Sequence, residues 1–412
     1  MRPLFEFEEV TPERLVSEFG TPLFVISRRI LRERLDRYRI AIQSEWSDTR
    51  CFYSLKANAN PWIAREAIAA GWGIDVCSAG DLAIAGQAGA TRGLVSFAGV
   101  GADARLLASA CDTAAYVNLQ TPAQVACVKP TEASIGLRIA SAPSKSGFDY
   151  ASSKFGLPAQ AIPPAVDYLS ANDIAVRGIH CHCGSSVQSA EALVSLLSES
   201  LLPVFAVLPK DVVEQLRYVN IGGGLGLTYD DAGTGLDVAE YAQSVSALMN
   251  ELSGRAGHRL ELHCEPGEWV VGPSGALVMT VVGAFDGPEA RVAIVDASLN
   301  QFMGTSFFDP GNELESAVGS GAPMSAHDVF GATNSPADAF CRNKQLPRVE
   351  AGDTLVLHCT GAYGYVRGGR FNEHPQAAEA MVDGRRCALI RARETIADLV
   401  SHVPAEAEWK DT

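Results

Sequence analysis

From about residue 50 to residue 266 the chain alternates short, β-rich apolar runs with longer stretches whose apolar positions recur at helical spacing. The short runs are CFYSLK, GIDVCS, GLVSFAGV, AAYVNL, ASIGLRIA, VRGIHCHC, RYVNIGGG and LELHCEPG, separated by helical patterns such as PWIAREAIAAG, AEALVSLLSESLLPVFAVL and AEYAQSVSALMNELSG. Repeated strand–helix units predict a parallel sheet. An open doubly wound sheet shares this rhythm, but eight units fit a closed (β/α)8 barrel. Barrel chemistry gathers at the C-terminal ends of the strands. The polar and Gly-rich residues fall there: Lys56 after the first run, His182 and Ser185 after the sixth, Gly222 to Gly224 after the seventh and Glu265 after the eighth.

After Pro273 the texture changes to runs such as GALVMTVVGAF, ARVAIVDASL and DTLVLHCTGAYG, broken by Gly and Pro turns, which predict a β domain. The early run TPLFVIS precedes the eight units and is expected to join that domain. The expected organisation is therefore an α/β protein: a barrel over 26–273, and a β-sandwich or β-barrel formed by 1–25 with 274–412. A chain of 412 residues exceeds what one hydrophobic core normally serves, in keeping with two domains.

Composition narrows the function. With 47% apolar and 20% charged residues the chain is globular, and a net charge of −15 without basic clusters argues against nucleic acid or an anionic membrane as partner. The ten cysteines are scattered through apolar runs, which suits reduced thiols better than a disulfide scaffold. The run HCHC, His180 to Cys183, raises the question of zinc. On a strand only His180 with His182, or Cys181 with Cys183, can share a side, and no second ligand pair follows, so no metal is expected. The acidic N-terminus MRPLFEFEEV is unlike a signal peptide, and no apolar run reads as a membrane span, so a cytoplasmic location is expected.

Three features carry candidate chemistry. Lys56, in FYSLKANAN, ends an apolar strand where partial desolvation lowers a lysine's pKa and makes it a competent Schiff-base amine; the plain alternative is a solvated strand cap. NIGGGLG, Asn220 to Gly226, offers consecutive unobstructed N–H groups for one phosphate, or else a tight turn; it lacks the spacing of nucleotide-binding loops. Glu265, in HCEPGEW, is a carboxylate at a buried strand end that needs a cationic partner, either a pyridinium nitrogen or an arginine.

FYSLKANAN, GIDVCSAGDL, GLRIA with SSKFGL, HCHCGSS, NIGGGLG, CEPGE, VDASLN, GAYGYVRGGRFN and LIRARET stand in this order along nearly the whole chain. Together they resemble the fold-type III pyridoxal-phosphate decarboxylases, which include the diaminopimelate, ornithine and arginine enzymes and share an alanine-racemase-like barrel. The resemblance implies that Lys56 bonds the cofactor, His182 stacks on its ring and Glu265 keeps the ring nitrogen protonated. It implies further that Ser185, Gly222, Gly223, Gly224 and Tyr363 hold the phosphate and that Asp75 and Arg138 line the pocket. It also implies a head-to-tail homodimer in which Phe371 and the Asn334–Asp338 loop reach the partner's barrel and Lys154 pairs with Asp338.

Departures from the family fall at the substrate end. Where the family has GPxCxSxD, with a cysteine that returns the proton, this chain reads GATNSPAD: Asn334 takes the cysteine's place and Ser335 that of the following acid. An amide is no general acid, which leaves Cys341, seven residues on, or Lys56 as donors, with an ordinary thiol as the alternative for Cys341. EPGR becomes EPGE, placing Glu268 where the family has arginine, and Gly304 and Phe308 replace the diaminopimelate clamp. Glu268, Ser335, Arg370 and Phe371 are the candidate substrate contacts. The expected activity is decarboxylation of a non-standard amino acid, free or carrier-bound, with a racemase or a non-catalytic cofactor-binding protein as alternatives.

Overall fold

A computed structural model describes residues 8–143, 154–227, 236–304, 312–317, 323–407 and 409. The chain forms two compact units, Ile30–Gly272 and a second made of the residues up to Arg29 with Pro273–Thr412.

The first unit is a closed barrel of eight parallel strands. They are β2 (Thr49–Ser54), β3 (Gly73–Val76), β4 (Val95–Phe97), β5 (Tyr116–Leu119), β6 (Ser134–Arg138), β7 (Val176–His180), β8 (Tyr218–Asn220) and β9 (Glu261–Cys264), with β9 closing onto β2 at Thr49↔Leu262. Each corresponds to one of the eight apolar runs. The helices between them are capped as their sequences lead one to expect: Ser189 and Asp237 accept N–H bonds at the starts of Ala190–Val207 and Val238–Ala256, and Gly257 ends the latter in a left-handed conformation.

Large rings fill the barrel interior. Tyr218 stacks on His263 with centroids 4.4 Å apart and planes 9° apart, and Tyr116 meets both edge-on. Gly136 and Gly178 make room for them, since a Cβ at Gly178 would stand 2.2 Å from the Tyr218 ring. Gly178→Ala is therefore expected to overpack the barrel and cost about 1–3 kcal/mol, read as a lower midpoint in denaturant unfolding. Wild-type stability in the variant would mean that the tyrosine can step aside.

Helix Ala190–Val207 has a length and a mean hydropathy of 1.6 that would by themselves suffice to cross a membrane. In the fold it is an outer helix of the barrel, burying Leu193, Leu197, Leu201 and Val204 on one face.

The second unit is a mostly antiparallel sheet built around β10 (Gly275–Asp286). The first half of β10 lies between β1 (Leu23–Ser27) and β15 (Thr354–His358); its second half, past a bulge at Val281/Gly283, pairs with β11 (Arg291–Val295). Further out, β13 (Met324–Phe330) and β14 (Ala339–Pro347) extend the β11 side, β16 (Ala378–Asp383) and β17 (Arg386–Arg391) extend the β1 side, and β12 (Leu314–Ser316) pairs with β15. The early run TPLFVIS supplies β1. Phe24, Leu277, Met279, Val295, Val329 and Leu357 form this unit's core.

Candidate active site

At the end of β2 the chain turns through Leu55–Ala57, carrying Lys56 out of the barrel wall with its side chain exposed. The turn is held from both sides. Tyr53 donates to the Asn58 carbonyl (3.1 Å), Asn60 caps the following helix, and a Cβ at Gly267 would lie 2.9 Å from those of Ser54 and Ala57. CEPGE thus abuts SLKA, and only glycine fits at that contact.

Glu265 is buried among partners from three other strands. Its Oε1 accepts from Ser96 Oγ (3.2 Å) and Asn220 Nδ2 (2.5 Å), and its Oε2 lies 3.3 Å from His180 Nε2, off the line of a hydrogen bond. Burial pushes this carboxyl up, but His180, Asn220 and Lys56 outweigh it and hold the group well below the usual carboxylate range. Asp75 goes the other way: burial and the charge on Glu265 push it up to about 7, against Lys56, Ser54 and Arg138. Ser54 Oγ lies 2.7 Å from Asp75 Oδ2 and 2.8 Å from the Glu265 carbonyl, tying three strand ends together.

A carboxyl whose folded pKa is raised binds its proton more tightly in the folded state. It stabilises the fold fully below its unfolded value near 3.8, and that contribution is lost as the pH rises through about 7. Asp75→Asn in the cofactor-free protein is expected to flatten this part of the stability–pH curve. Parallel curves for variant and wild type between pH 4 and 7 would refute the assignment.

His182 faces the loop after β8. Gly223 N–H donates to its Nδ1 (3.2 Å), which places the neutral ring's proton on Nε2; burial, then Lys56 and Arg138, push its pKa well below 6.5. Gly222 and Gly224 have φ of +64° and +97°, and a Cβ on Gly223 would stand 2.4 Å from the Glu265 carbonyl. Each glycine is thus required for its own reason. Asn220 links this loop to the carboxylate, because its Oδ1 accepts from Gly222 N–H (2.8 Å) while its Nδ2 donates to Glu265. Ser185 stands in the facing loop after β7, which bonds the glycine loop through Val187 N–H to the Gly224 carbonyl (2.9 Å). Next to it, Ser186 Oγ donates to Glu268 (2.9 Å), a half-buried carboxylate at the rim. Arg138 ends β6, nine-tenths buried, its guanidinium 4.9 Å from the Phe155 ring, which the exposed Lys154 also approaches (5.5 Å).

The remaining candidates lie on the β unit. Tyr363 has a left-handed φ of +60° and lies under the Arg367 guanidinium (4.3 Å). Asn300, of VDASLN, clamps Phe371 by accepting from its N–H (2.9 Å) and donating to its carbonyl (2.7 Å). Asn334 N–H donates to Asn372 Oδ1 (2.8 Å), so the GATNSPAD and GGRFN loops are tied together, with the Phe371 ring half exposed. Asp338 is buried, with its carboxylate accepting from Leu299 N–H and from Thr333 N–H and Oγ1, so it organises its own loop. Ser335 Oγ accepts from Ala337 N–H (3.3 Å), and Arg370 pairs with Glu394 (2.6 Å). Cys341 lies in β14 against the core, its thiol pushed up to about 11 by burial. A Cβ on Gly304 would press the Phe302 ring at 2.7 Å; Phe308 lies outside the described residues.

Comparison with known proteins follows this layout. The family model of the pyridoxal-dependent decarboxylases, pyridoxal binding domain, matches residues 30–272, the whole barrel unit. The chain belongs to the pyridoxal-dependent decarboxylase family. This decarboxylase is 30% identical over 403 residues to the diaminopimelate decarboxylase of Neisseria meningitidis, covering 94% of this chain and 96% of that protein. It is 30% identical over 416 residues to that of Archaeoglobus fulgidus, 95% of each. The crystal structure of diaminopimelate decarboxylase from M. jannaschii matches with a TM-score of 0.87 at 24% identity, over 96% of this chain and 94% of that one. The decarboxylase acts on an amino acid with pyridoxal phosphate as cofactor, which replaces the racemase and non-catalytic alternatives.

The barrel mouth suits that cofactor. Its glycine loop is packed so closely that none of the three positions admits a Cβ, which leaves its backbone bare of side chains, and the buried Asp75 Oδ1 and both ring nitrogens of His180 lack a hydrogen-bond partner. Glu265 supplies the buried negative charge that a protonated ring nitrogen calls for. The sequence reading missed His180, Ser96, Asn220, Ser54 and Asn300. Ser54, His180, Asn220 and Asn300 all stand inside quoted motifs, but their neighbours in space come from other strands and loops.

Proposed function

We propose that this decarboxylase removes the α-carboxylate of an amino acid whose distal end is cationic or amide-bearing, and not that of diaminopimelate. The single observation that carries the reading is Glu268, a half-buried carboxylate hydrogen-bonded by Ser186 beside the phosphate cradle, at the position where family members have arginine. A second substrate carboxylate would meet like charge there, a cation or amide would not. A biosynthetic substrate such as a siderophore intermediate or a carrier-bound aminoacyl group, handled in the cytoplasm, fits this requirement.

In the same reading Lys56 holds the cofactor's carbonyl carbon, Glu265 its ring nitrogen and His182 its ring face. Ser185, the Gly222–Gly224 amides and Tyr363 hold the phosphate, with Asp75 and Arg138 around the pocket. Held by these residues, the cofactor would supply an electron sink for cleavage of the bond to the carboxylate. Lys56 returns the proton, because Asn334 cannot and the Cys341 thiol, in β14, packs against the sheet core with its pKa raised by burial. The protein works as a homodimer, with Ser335, Arg370 and Phe371 of one copy serving the barrel of the other and Lys154 at the interface; the half-exposed Phe371 on its clamped loop supports this. Mixing Lys56→Ala with Phe371→Ala protein should restore activity that neither has alone; no recovery from a mixture that exchanges subunits would exclude shared sites.

Carbon dioxide release across a panel of diaminopimelate, basic, amide-bearing and carrier-bound amino acids tests the substrate. Glu268→Gln should raise KM for the preferred substrate about tenfold, and Glu268→Arg should open activity toward acidic ones. A panel in which diaminopimelate is the best substrate overturns the proposal and favours the second reading, which the named relatives support across 94% of the chain.

A further inference from the structure

The HCHC run has one half that cofactor binding does not use. Beyond the end of β7, His182 turns toward the glycine loop, while Cys181 and Cys183 turn to the other side, where their Sγ atoms lie 3.0 Å apart, both buried. Their surroundings are polar for a core. Cys183 Sγ is 3.3 Å from Ser200 Oγ and 3.6 Å from the Leu196 carbonyl. Ser200 gives its own proton to Leu196 (2.6 Å) and accepts from Ala142 N–H (2.8 Å), so it is fixed from two sides. Among the described residues no group of three His, Cys, Asp or Glu side chains gathers here, and each sulfur's nearest polar neighbour is the other.

We propose that Cys181 and Cys183 are an oxidisable dithiol site that takes up a peroxide and closes to an intrachain disulfide, drawing His182 off the cofactor face. Cys183 sulfur attacks the peroxide O–O bond, becoming a sulfenic acid as one water leaves. Cys181 sulfur then displaces that oxygen, forming the S–S bond while the oxygen departs as a second water with the remaining proton. Two sulfurs lose two electrons and the peroxide gains them; a dithiol reductant reverses the change. Cys183 is the attacking thiol because Cys181, whose sulfur lies 3.0 Å away, pulls it below the ordinary thiol value against burial, whereas Cys181 is pushed up. Closure shortens the sulfur separation to about 2.05 Å, and only one residue lies between the two cysteines, so the backbone of His182 must move. The bond at risk is the 3.2 Å contact from Gly223 N–H to His182 Nδ1, which joins the ring to the phosphate loop.

The test uses the cofactor-loaded enzyme. It is treated with hydrogen peroxide, denatured, alkylated and mapped by mass spectrometry, and cofactor affinity is followed by absorbance in parallel. The peptide holding both cysteines should lack two hydrogens and carry no alkyl group, regain two alkylation sites after dithiothreitol, and accompany a several-fold rise in cofactor Kd. Cys183→Ser, treated identically, should show no rise. A wild-type peptide still alkylated twice overturns the dithiol site. A disulfide that forms with unchanged cofactor Kd, or an equal rise in Cys183→Ser, overturns the link to His182.

Discussion

Lys56→Ala protein purified with pyridoxal phosphate should lack the visible absorption band of lysine-bound cofactor and lose at least ~10³-fold in kcat, as the two roles proposed for Lys56, cofactor bonding and proton return, imply. The position of Lys56 is the reason. It leaves the barrel on a turn held by Tyr53, Asn60 and the close contact at Gly267, and it is among the charges that lower Glu265 and His182 and oppose the rise of Asp75. Without it the two carboxyls lose a nearby cation, so Glu265 should rise and Asp75 should protonate further. An alanine variant that keeps the band would assign the Schiff base to another amine and undo the site described above. An added primary amine should partly restore turnover, because the space left by the side chain opens at the exposed mouth.

Glu265→Gln comes second. The amide keeps the shape and the Asn220 and Ser96 neighbours but removes the charge, so a protonated ring nitrogen loses its counterion. A fall of about 10²–10³-fold in kcat is expected, the size seen when one preorganised electrostatic partner is deleted. Loss of the like charge should also let Asp75 fall from about 7 toward the ordinary carboxylate value. The two readouts separate a chemical role from a structural one, since a misfolded variant would lose cofactor binding altogether. Unchanged kcat with normal cofactor affinity would show that Glu265 is only a structural carboxylate.

The eight runs are legible because parallel barrel strands are short apolar segments, each followed by a helix of different period, and the residues after each run are the ones the mouth collects. Lys56, His182, the three glycines and Glu265 stand at strand ends for that reason. Helix Ala190–Val207 was legible as a helix between two strand runs, although a barrel's outer helix and a membrane span share an apolar length. Asp338 accepts three hydrogen bonds, one from Leu299 of VDASLN and two from Thr333 of its own loop, a junction that no linear motif reveals. The sequence put Cys181 and Cys183 on one side of a strand, but β7 ends at His180 and the two sulfurs come within 3.0 Å of each other in the segment beyond it.

The sequence alone determined the barrel with its added β domain, the family and the cofactor, because each rests on local periodicity or on motifs read in order. Only the tertiary structure decided that Asn220 couples the glycine loop to Glu265, that burial and like charge drive Asp75 and Glu265 apart, and that Asn300 and Asn372 join three distant motifs into one loop cluster. Those facts depend on which strand ends become neighbours when the barrel closes and the sheet forms, and on how much water that leaves around each charge.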